Sequence, residues 1–408
     1  MLWFANFICA SKQGRRLSRR RALPVFTFAV FGLMLTILPV EAAGWSPEKS
    51  ARADALIDQF LARISATSEA LPKPALALAI GTESEAALAK GYGETSPGVP
   101  ATEHTVFHVG SLAKQFTAAA VLDLIGRNAT LRNGTPVTLD LALAQIFEGV
   151  AHWPGLDAAS DAQPVTLRSL LTMTSNLPNF TRLPPSTTNP WGRIGAPELL
   201  SELKKLRPSG WPNTFEYSNT SYFLLAETIE EAIVPGETAP HAHRDVLRRE
   251  IFPRAHLAET GFVGDYAAGA VVARPIYRRR PVFDQPDWLK GSADVASSAA
   301  DIYAWNAALM SGHVLPPELL ALMVSDGARV TPELYYGMGW FVEHRAGRDV
   351  FTHSGLVPGF TSYNLIAAET HRGGTLAGTW TSVTLLINTD VIDGLDSLAE
   401  DLLRLASE

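Results

Sequence analysis

The sequence predicts an α/β (α+β) fold, in which both chain ends form an antiparallel sheet around an inserted, mostly helical domain. Short segments in which apolar and polar residues alternate lie near both ends, whereas apolar residues at helical spacing dominate the middle. With 408 residues, of which 47% are hydrophobic, the chain can bury a large core. We place the sheet parts at about 44–105 and 335–408 and the helical part at about 106–334.

The first 43 residues have the layout of a signal peptide. Six basic residues from Lys12 to Arg21 precede an apolar run from Leu23 to Val40, and Ala42 and Ala43 provide small residues for cleavage. The alternative is an uncleaved anchor, because this run is at the lower length limit for spanning a bilayer. In both cases we expect export, to the periplasm or the medium, with membrane contact only if the segment stays uncleaved.

Charge and cysteine content exclude several function classes. Without residues 1–43 the chain keeps 28 basic and 40 acidic residues, a net charge of −12, so we expect no nucleic-acid partner. The only cysteine, Cys9, lies in the predicted signal peptide. Disulfides and cysteine-zinc sites are therefore not expected in the mature chain.

The N-terminal half begins with sheet elements and continues with helices. Patterning predicts a helix over 47–66, strands Ala75–Gly81 and Glu85–Gly93 joined by a turn at Thr82–Ser84, a buried helix after Ser111, and helices over 137–150 and 165–174. Residues 177–214 are rich in Pro, Thr, Asn and Gly and are too long for an ordinary connector. We expect this loop to shape a pocket.

The C-terminal half returns to the sheet. We predict two helices, Thr220–Ile233 and Asp245–Ile251, and then an irregular segment over 262–292. Three strands follow, Arg348–Thr352, Phe360–Ala367 and Thr375–Asn388, with turns at Pro358–Gly359 and His371–Gly374. A closing helix has an apolar stripe that runs from Val391 to Leu405.

A serine three residues ahead of a lysine marks the start of the buried helix. On a helix the hydroxyl of Ser111 and the amine of Lys114 share one face, so they can form a hydrogen bond. Burial lowers the pKa of a lysine, which would let Lys114 accept the proton that Ser111 loses when it attacks a carbonyl. The motif alone is weak, because a serine at a helix start is most often an N-cap.

Two further polar segments follow in the chain. Tyr217 and Asn219 are two residues apart, so in an extended stretch their side chains share one side. A tyrosine beside a lysine can pass protons to a leaving group, but Asn219 can equally cap the helix that follows. His353-Ser-Gly355 follows a predicted strand, and Gly355 permits close approach of a ligand, although a polar strand end explains it too.

Taken in this order, Ser111-Leu-Ala-Lys114, Tyr217-Ser-Asn219 and His353-Ser-Gly355 resemble the three active-site motifs of the serine β-lactamase and penicillin-binding protein family. The resemblance is to the class C-like branch, which includes β-lactamase-related serine hydrolases, D-alanyl-D-alanine carboxypeptidases and esterases. It extends from about Pro74 to Asn388 and implies a β-lactamase/transpeptidase-like fold.

The resemblance also implies roles for individual residues. Ser111 would attack an acyl carbonyl, Lys114 and Tyr217 would move protons, and the N–H groups of Ser111 and Leu356 would form an oxyanion hole. Asn219 and His353 would contact the substrate, as would the backbone at Gly355. No metal or organic cofactor is implied.

Two positions depart from the family pattern. His353 replaces the lysine of many relatives, and Asn176 stands where glycine is common. An unperturbed histidine is mostly neutral at pH 7.5 and gains charge toward pH 6, so we expect His353 to attract a substrate carboxylate only at lower pH.

Three hypotheses stay open at this point. The first is an exported serine hydrolase that forms an acyl-enzyme on Ser111 and acts on a small ester, a D-alanyl peptide or a β-lactam. The second is a penicillin-recognising regulatory protein that is acylated without useful turnover. The third, disfavoured because every expected polar side chain is present, is a scaffold without chemistry.

Overall fold

The computed structural model describes residues 45–66, 71–150, 164–182, 195–208, 213–277, 289–369, 378–390 and 393–408. Within these ranges no helix combines the length and the apolar character needed to cross a bilayer. Several predicted features lie wholly or partly outside the described residues: the signal peptide, the His371–Gly374 turn, Val391, and parts of the 177–214 loop and the 262–292 segment.

Strands from both chain ends meet in one large sheet. The described strands are β1 (Leu76–Thr82), β2 (Ala86–Tyr92), β3 (Glu94–Ser96), β4 (Val99–Pro100), β5 (Phe107–His108), β6 (Thr130–Leu131), β7 (Ala232–Ile233), β8 (Gly261–Phe262), β9 (Val295–Ser297), β10 (Ala328–Arg329), β11 (Leu334–Tyr336), β12 (Phe341–Arg345), β13 (Arg348–Val357), β14 (Phe360–Glu369) and β15 (Trp380–Ile387). Eight of them form an antiparallel sheet in the order β10-β11-β12-β13-β14-β15-β1-β2. The predicted sheet is confirmed.

Helices cover both faces of this sheet. They are α1 (Pro47–Ala66), α2 (Ala113–Gly126), α3 (Leu167–Leu171), α4 (Ala196–Leu203), α5 (Asn219–Ile229), α6 (His243–Val246), α7 (Ala299–Met310), α8 (Pro317–Met323) and α9 (Leu395–Ser407). Alternation along β1 shows the two layers. Leu76, Leu78 and Ile80 pack with α1 and α9, whereas Ala77 and Ala79 join the core formed by the helical region. The buried helix α2 therefore lies within protein on the second side.

The helix predicted over 137–150 is wrong. From Val137 to Leu141 the buried residues recur at every second position, and Thr138 and Asp140 between them are exposed. That period is typical of extended chain. Backbone bonds confirm it, since the N–H of Val137 donates to Ala129 and that of Leu143 to Val165. Only a 3₁₀ turn, Leu143–Gln145, is helical here, and the helix predicted over 165–174 is limited to α3.

The third polar motif lies inside a strand, not after one as predicted. β13 pairs with β14 through His353↔Asn364 and Leu356↔Thr361 up to the predicted turn at Pro358–Gly359. Pairing uses backbone groups, so polar side chains did not end the strand. The short strands β10, β11 and β12 were also missed, and the helix predicted over 220–233 ends at Ile229.

Candidate active site

Ser111 lies in a 3₁₀ turn, Gly110–Leu112, which leads directly into α2. Gly110 has a φ of +54°, and a Cβ on it would lie 2.8 Å from the backbone nitrogen of Leu356. Only glycine allows both this left-handed conformation and this close approach. The turn thus holds the half-buried Ser111 next to β13.

Lys114 is completely buried and is held at three points. Its Nζ lies 3.0 Å from Ser111 Oγ, 2.8 Å from Asn219 Oδ1 and 2.7 Å from the carbonyl oxygen of Ser292. Burial lowers the pKa of Lys114 well below its usual value, and the charge of Asp294 opposes this only partly.

These contacts favour one arrangement of the neutral amine. The oxygens of Asn219 and Ser292 can only accept, so they fix the two N–H bonds of a neutral Lys114. The lone pair that remains is available to the hydroxyl of Ser111, which can donate. The geometry therefore provides a base aimed at the serine proton.

Asn219 is not the cap of α5. Ser218 is the N-cap, and its Oγ accepts from the N–H of Ser221. The amide of Asn219 is free for the site: Oδ1 accepts from Lys114, and Nδ2 donates to Thr181 Oγ1 at 3.1 Å. The capping alternative is thereby wrong.

Tyr217 lies beside the lysine that Asn219 also contacts. Lys114 Nζ is 5.0 Å from the centre of the Tyr217 ring, and the His353 ring is 6.0 Å from it. The tyrosine is half-buried, so part of it is accessible to a substrate while its ring lies next to the buried amine.

His353 is buried and neutral. Its Nδ1–H donates to the carbonyl of Ser354 at 2.7 Å, and its Nε2 accepts from the hydroxyl of Tyr336 at 3.2 Å. Burial is the main cause that lowers the pKa of His353 to about 3. The expectation that His353 gains a proton near pH 6 is wrong.

Gly355 lets β13 lie directly on the serine turn. A Cβ at this position would be 2.0 Å from the carbonyl oxygen of Val109 and 2.3 Å from Ser362 Oγ. The same Ser362 hydroxyl donates to Val109 at 2.8 Å. The backbone of Leu356, the next residue, is consequently held beside Gly110.

The structure brings all seven predicted site residues together and adds several that were not predicted. Thr181 and Ser292 are among the additions. Ser292 acts through its carbonyl, which any residue type would supply, so no sequence signal exists. Asn176 has a φ of +55°, a conformation that asparagine tolerates better than most residues, which explains how it stands where glycine is common.

A family model described as Beta-lactamase matches residues 53–407. The chain belongs to this family. Its members share a serine hydrolase fold, so the predicted resemblance is confirmed. The penicillin-binding protein PbpX of Bacillus subtilis strain 168 is 25% identical over 280 residues, which make up 67% of this chain and 62% of that protein. A D-aminopeptidase of Brucella anthropi is 25% identical over 294 residues, 66% of this chain and 49% of that protein.

The chain spans about half to three fifths of the length of these curated relatives. Solved structures cover it more fully. A D-amino acid amidase from Ochrobactrum anthropi SV3 matches 88% of this chain and 99% of its own, with a TM-score of 0.64 and 20% identity. The hydrolase EstCE1 matches 88% and 100%, with a TM-score of 0.64 and 17% identity. These similarities establish the β-lactamase/transpeptidase-like fold.

Proposed function

We propose that this protein is an exported hydrolase that forms an acyl-enzyme on Ser111 and hydrolyses small, uncharged esters or amides. The observation that carries the proposal is the contact between Lys114 Nζ and Ser111 Oγ, made by a fully buried lysine whose other two contacts are pure acceptors.

The chemistry proceeds in two halves. Ser111 Oγ bonds to the substrate carbonyl carbon while its proton moves to Lys114, and the N–H groups of Ser111 and Leu356 stabilise the oxyanion. The bond to the alcohol or amine breaks, and Tyr217 relays the proton to that leaving group. Water then attacks the ester on Ser111, which releases the acid and restores the hydroxyl.

The preference for uncharged substrates rests on His353. A lysine at this position would offer a positive charge to a carboxylate, but the buried imidazole is neutral and already engaged with Tyr336 and Ser354. Similarity to a D-amino acid amidase supports amides as a candidate class, and similarity to EstCE1, a hydrolase with promiscuous acyltransferase activity, supports acyl transfer.

Similarity to the penicillin-binding protein PbpX favours a second candidate, a penicillin-recognising protein that is acylated without turnover. For both candidates the partner is a small molecule or peptide rather than a nucleic acid, in line with the acidic mature chain. Export rests on the composition of residues 1–43, and membrane contact would require that this segment stays attached.

The test compares wild type with Ser111→Ala and with Ser397→Ala, a control at an exposed serine on α9. Each is incubated with a fluorescent phosphonate, a chromogenic ester panel and a chromogenic cephalosporin. We expect Ser111→Ala to lose labelling and roughly a thousandfold or more of turnover while its Tm stays near that of wild type. A loss of only a few-fold would contradict the nucleophile assignment. Labelling and acylation of wild type without turnover would favour the second candidate.

A further inference from the structure

A buried acid, Asp294, interacts with Lys114 through its charge. Asp294 follows the Leu289–Ala293 turn and is 2% exposed. Its Oδ2 lies 4.0 Å from His243 Nδ1, and within the described part of the chain neither atom has a hydrogen-bond partner. The family mechanism uses neither residue. In the sequence, Asp294 interrupts an otherwise small and apolar stretch just before β9.

The other carboxylate oxygen anchors the turn that contacts the lysine. Oδ1 of Asp294 accepts from the N–H of Gly291 at 3.0 Å. The carbonyl of Gly291 accepts from Thr117 Oγ1 at 2.9 Å, and the next carbonyl, that of Ser292, accepts from Lys114 Nζ at 2.7 Å. One carboxylate thus closes a turn whose two carbonyls accept from Thr117 and Lys114, three residues apart on α2.

The turn has little room to move. Gly291 has a φ of +70°, and a Cβ on it would lie 2.6 Å from the carbonyl oxygen of Tyr222 and 2.6 Å from the Cβ of Ala226. The turn therefore lies directly against α5 as well as contacting α2. Loss of the Asp294 anchor would release the Ser292 carbonyl, and with it one of the two acceptors that orient the neutral amine.

Charge adds a second link between Asp294 and Lys114. Burial raises the pKa of Asp294 to about 6, against the charges of Arg244 and Lys290, so the carboxylate is ionised at pH 7.5 and raises the pKa of Lys114. Arg244 Nε lies 3.6 Å from Asp294 Oδ2. His243 faces the same oxygen but stays neutral, since burial lowers its pKa to about 3.

We propose that Asp294 is a positioning residue for Lys114: it holds the Ser292 carbonyl against Nζ, and its charge sets the pH range in which Lys114 can take the Ser111 proton. This inference rests on the proposed function, because it assigns Lys114 as the base. It predicts that one substitution of Asp294 can remove the charge and keep the anchor, whereas another removes both.

The experiment measures the rate at which a phosphonate labels Ser111 as a function of pH. Asp294→Asn keeps an acceptor for Gly291 and removes the charge that raises the pKa of Lys114. The acid limb of the pH profile should therefore shift to lower pH by at least about half a pH unit. Asp123→Asn, which removes another buried carboxylate from the far part of α2, is the matched control and should leave the limb in place.

Two further variants test the anchor. Asp294→Ala should label at least about tenfold more slowly than Asp294→Asn at the optimum, because only the alanine loses the Gly291 contact. Thr117→Val releases the Gly291 carbonyl without a charge change, so it should slow labelling and leave the limb unmoved. It also tests the anchored turn if Asp294→Ala does not fold.

The outcomes distinguish this inference from the proposed function. Absence of labelling in wild type would overturn the proposed function, and the inference with it. Normal labelling of wild type, with the same limb in Asp294→Asn as in Asp123→Asn, would overturn the inference alone. Equal labelling rates for wild type, Asp294→Ala and Thr117→Val would also overturn the inference alone.

Discussion

His353 illustrates how burial decides the charge that one residue offers to a substrate. In water an imidazole titrates near pH 6.5, and its charge would follow the pH of the medium. Here the ring is 1% exposed, is placed near Lys114 and has both nitrogens engaged. Its pKa of about 3 therefore removes the charge from the working range of the enzyme.

The consequence concerns selectivity. We expect the ratio of kcat/KM for a carboxylate substrate to that for its uncharged analogue to stay constant between about pH 6 and 7.5, because His353 does not titrate there. The ratio cancels effects of Lys114, which both substrates share. His353→Lys should raise the ratio, and His353→Gln is the neutral control. A wild-type ratio that rises several-fold as the pH falls would contradict a neutral His353.

At the level of elements, β13 does more than extend the sheet. Its segment from His353 to Leu356 lies against the Gly110–Leu112 turn, and Gly355 is what makes that contact possible. The strand thus sets the distance between the Leu356 backbone and Ser111. The geometry of the candidate site depends here on the packing of backbone against backbone, which cannot adapt as a side chain can.

Gly355→Ala tests this dependence. The added Cβ would overlap the Val109 carbonyl, so β13 or the serine turn must shift, and a shift of about 1 Å is enough to cost roughly a hundredfold in acyl transfer. Gly347→Ala is the control: its φ of +80° makes it strained by about 1–2 kcal/mol, but no atom lies within 4 Å of its Cβ. Activity and Tm are measured for both. Equal activities would show that the β13 contact does not position the site.

The sequence predicted elements well where side-chain periodicity and backbone pairing agree. The turn between β1 and β2 and the apolar stripe of α9 are examples. It failed where they disagree. The segment after Val137 has enough apolar residues for a helix, but from Val137 to Leu141 every second residue is buried. The polar motif at 353–355 hid the continuation of β13. Partners of backbone groups, such as the Ser292 carbonyl, depend on tertiary packing and leave no trace in residue type.

For the whole molecule, the order of three motifs predicted the site better than any single motif did. The fold brings Ser111, Tyr217 and His353 together from a turn before α2, a loop before α5 and a sheet strand. Distances among them could not be derived from spacing, because the segments between them follow independent paths through the helical region. The burial of α2 and Lys114 was predicted, but that of His353 was hidden, and burial determines which titratable groups are charged.

The stability of the whole molecule should therefore depend on pH through its buried histidines. Burial lowers the pKa of His108 to about 4 and those of His243 and His353 to about 3. In the unfolded chain each titrates near pH 6.5, so below that pH the unfolded state binds more protons and the free energy of unfolding falls. Asp294 acts in the opposite direction, since its pKa is raised and its protonation in the fold begins near pH 6.

From about pH 7.5 to 5.5 each histidine should cost about 1.4 kcal/mol of stability, and Asp294 should offset less than about 1 kcal/mol. We therefore expect Tm to fall on acidification over this range, measured by calorimetry in buffers of matched ionic strength. His243→Asn does not titrate, so it should remove about a third of the histidine contribution to this slope, whatever its effect on Tm at pH 7.5. A His243→Asn slope equal to that of wild type would contradict the burial of a neutral His243, because the comparison cancels the other groups whose pKa is raised in the fold, such as His344 and Glu227.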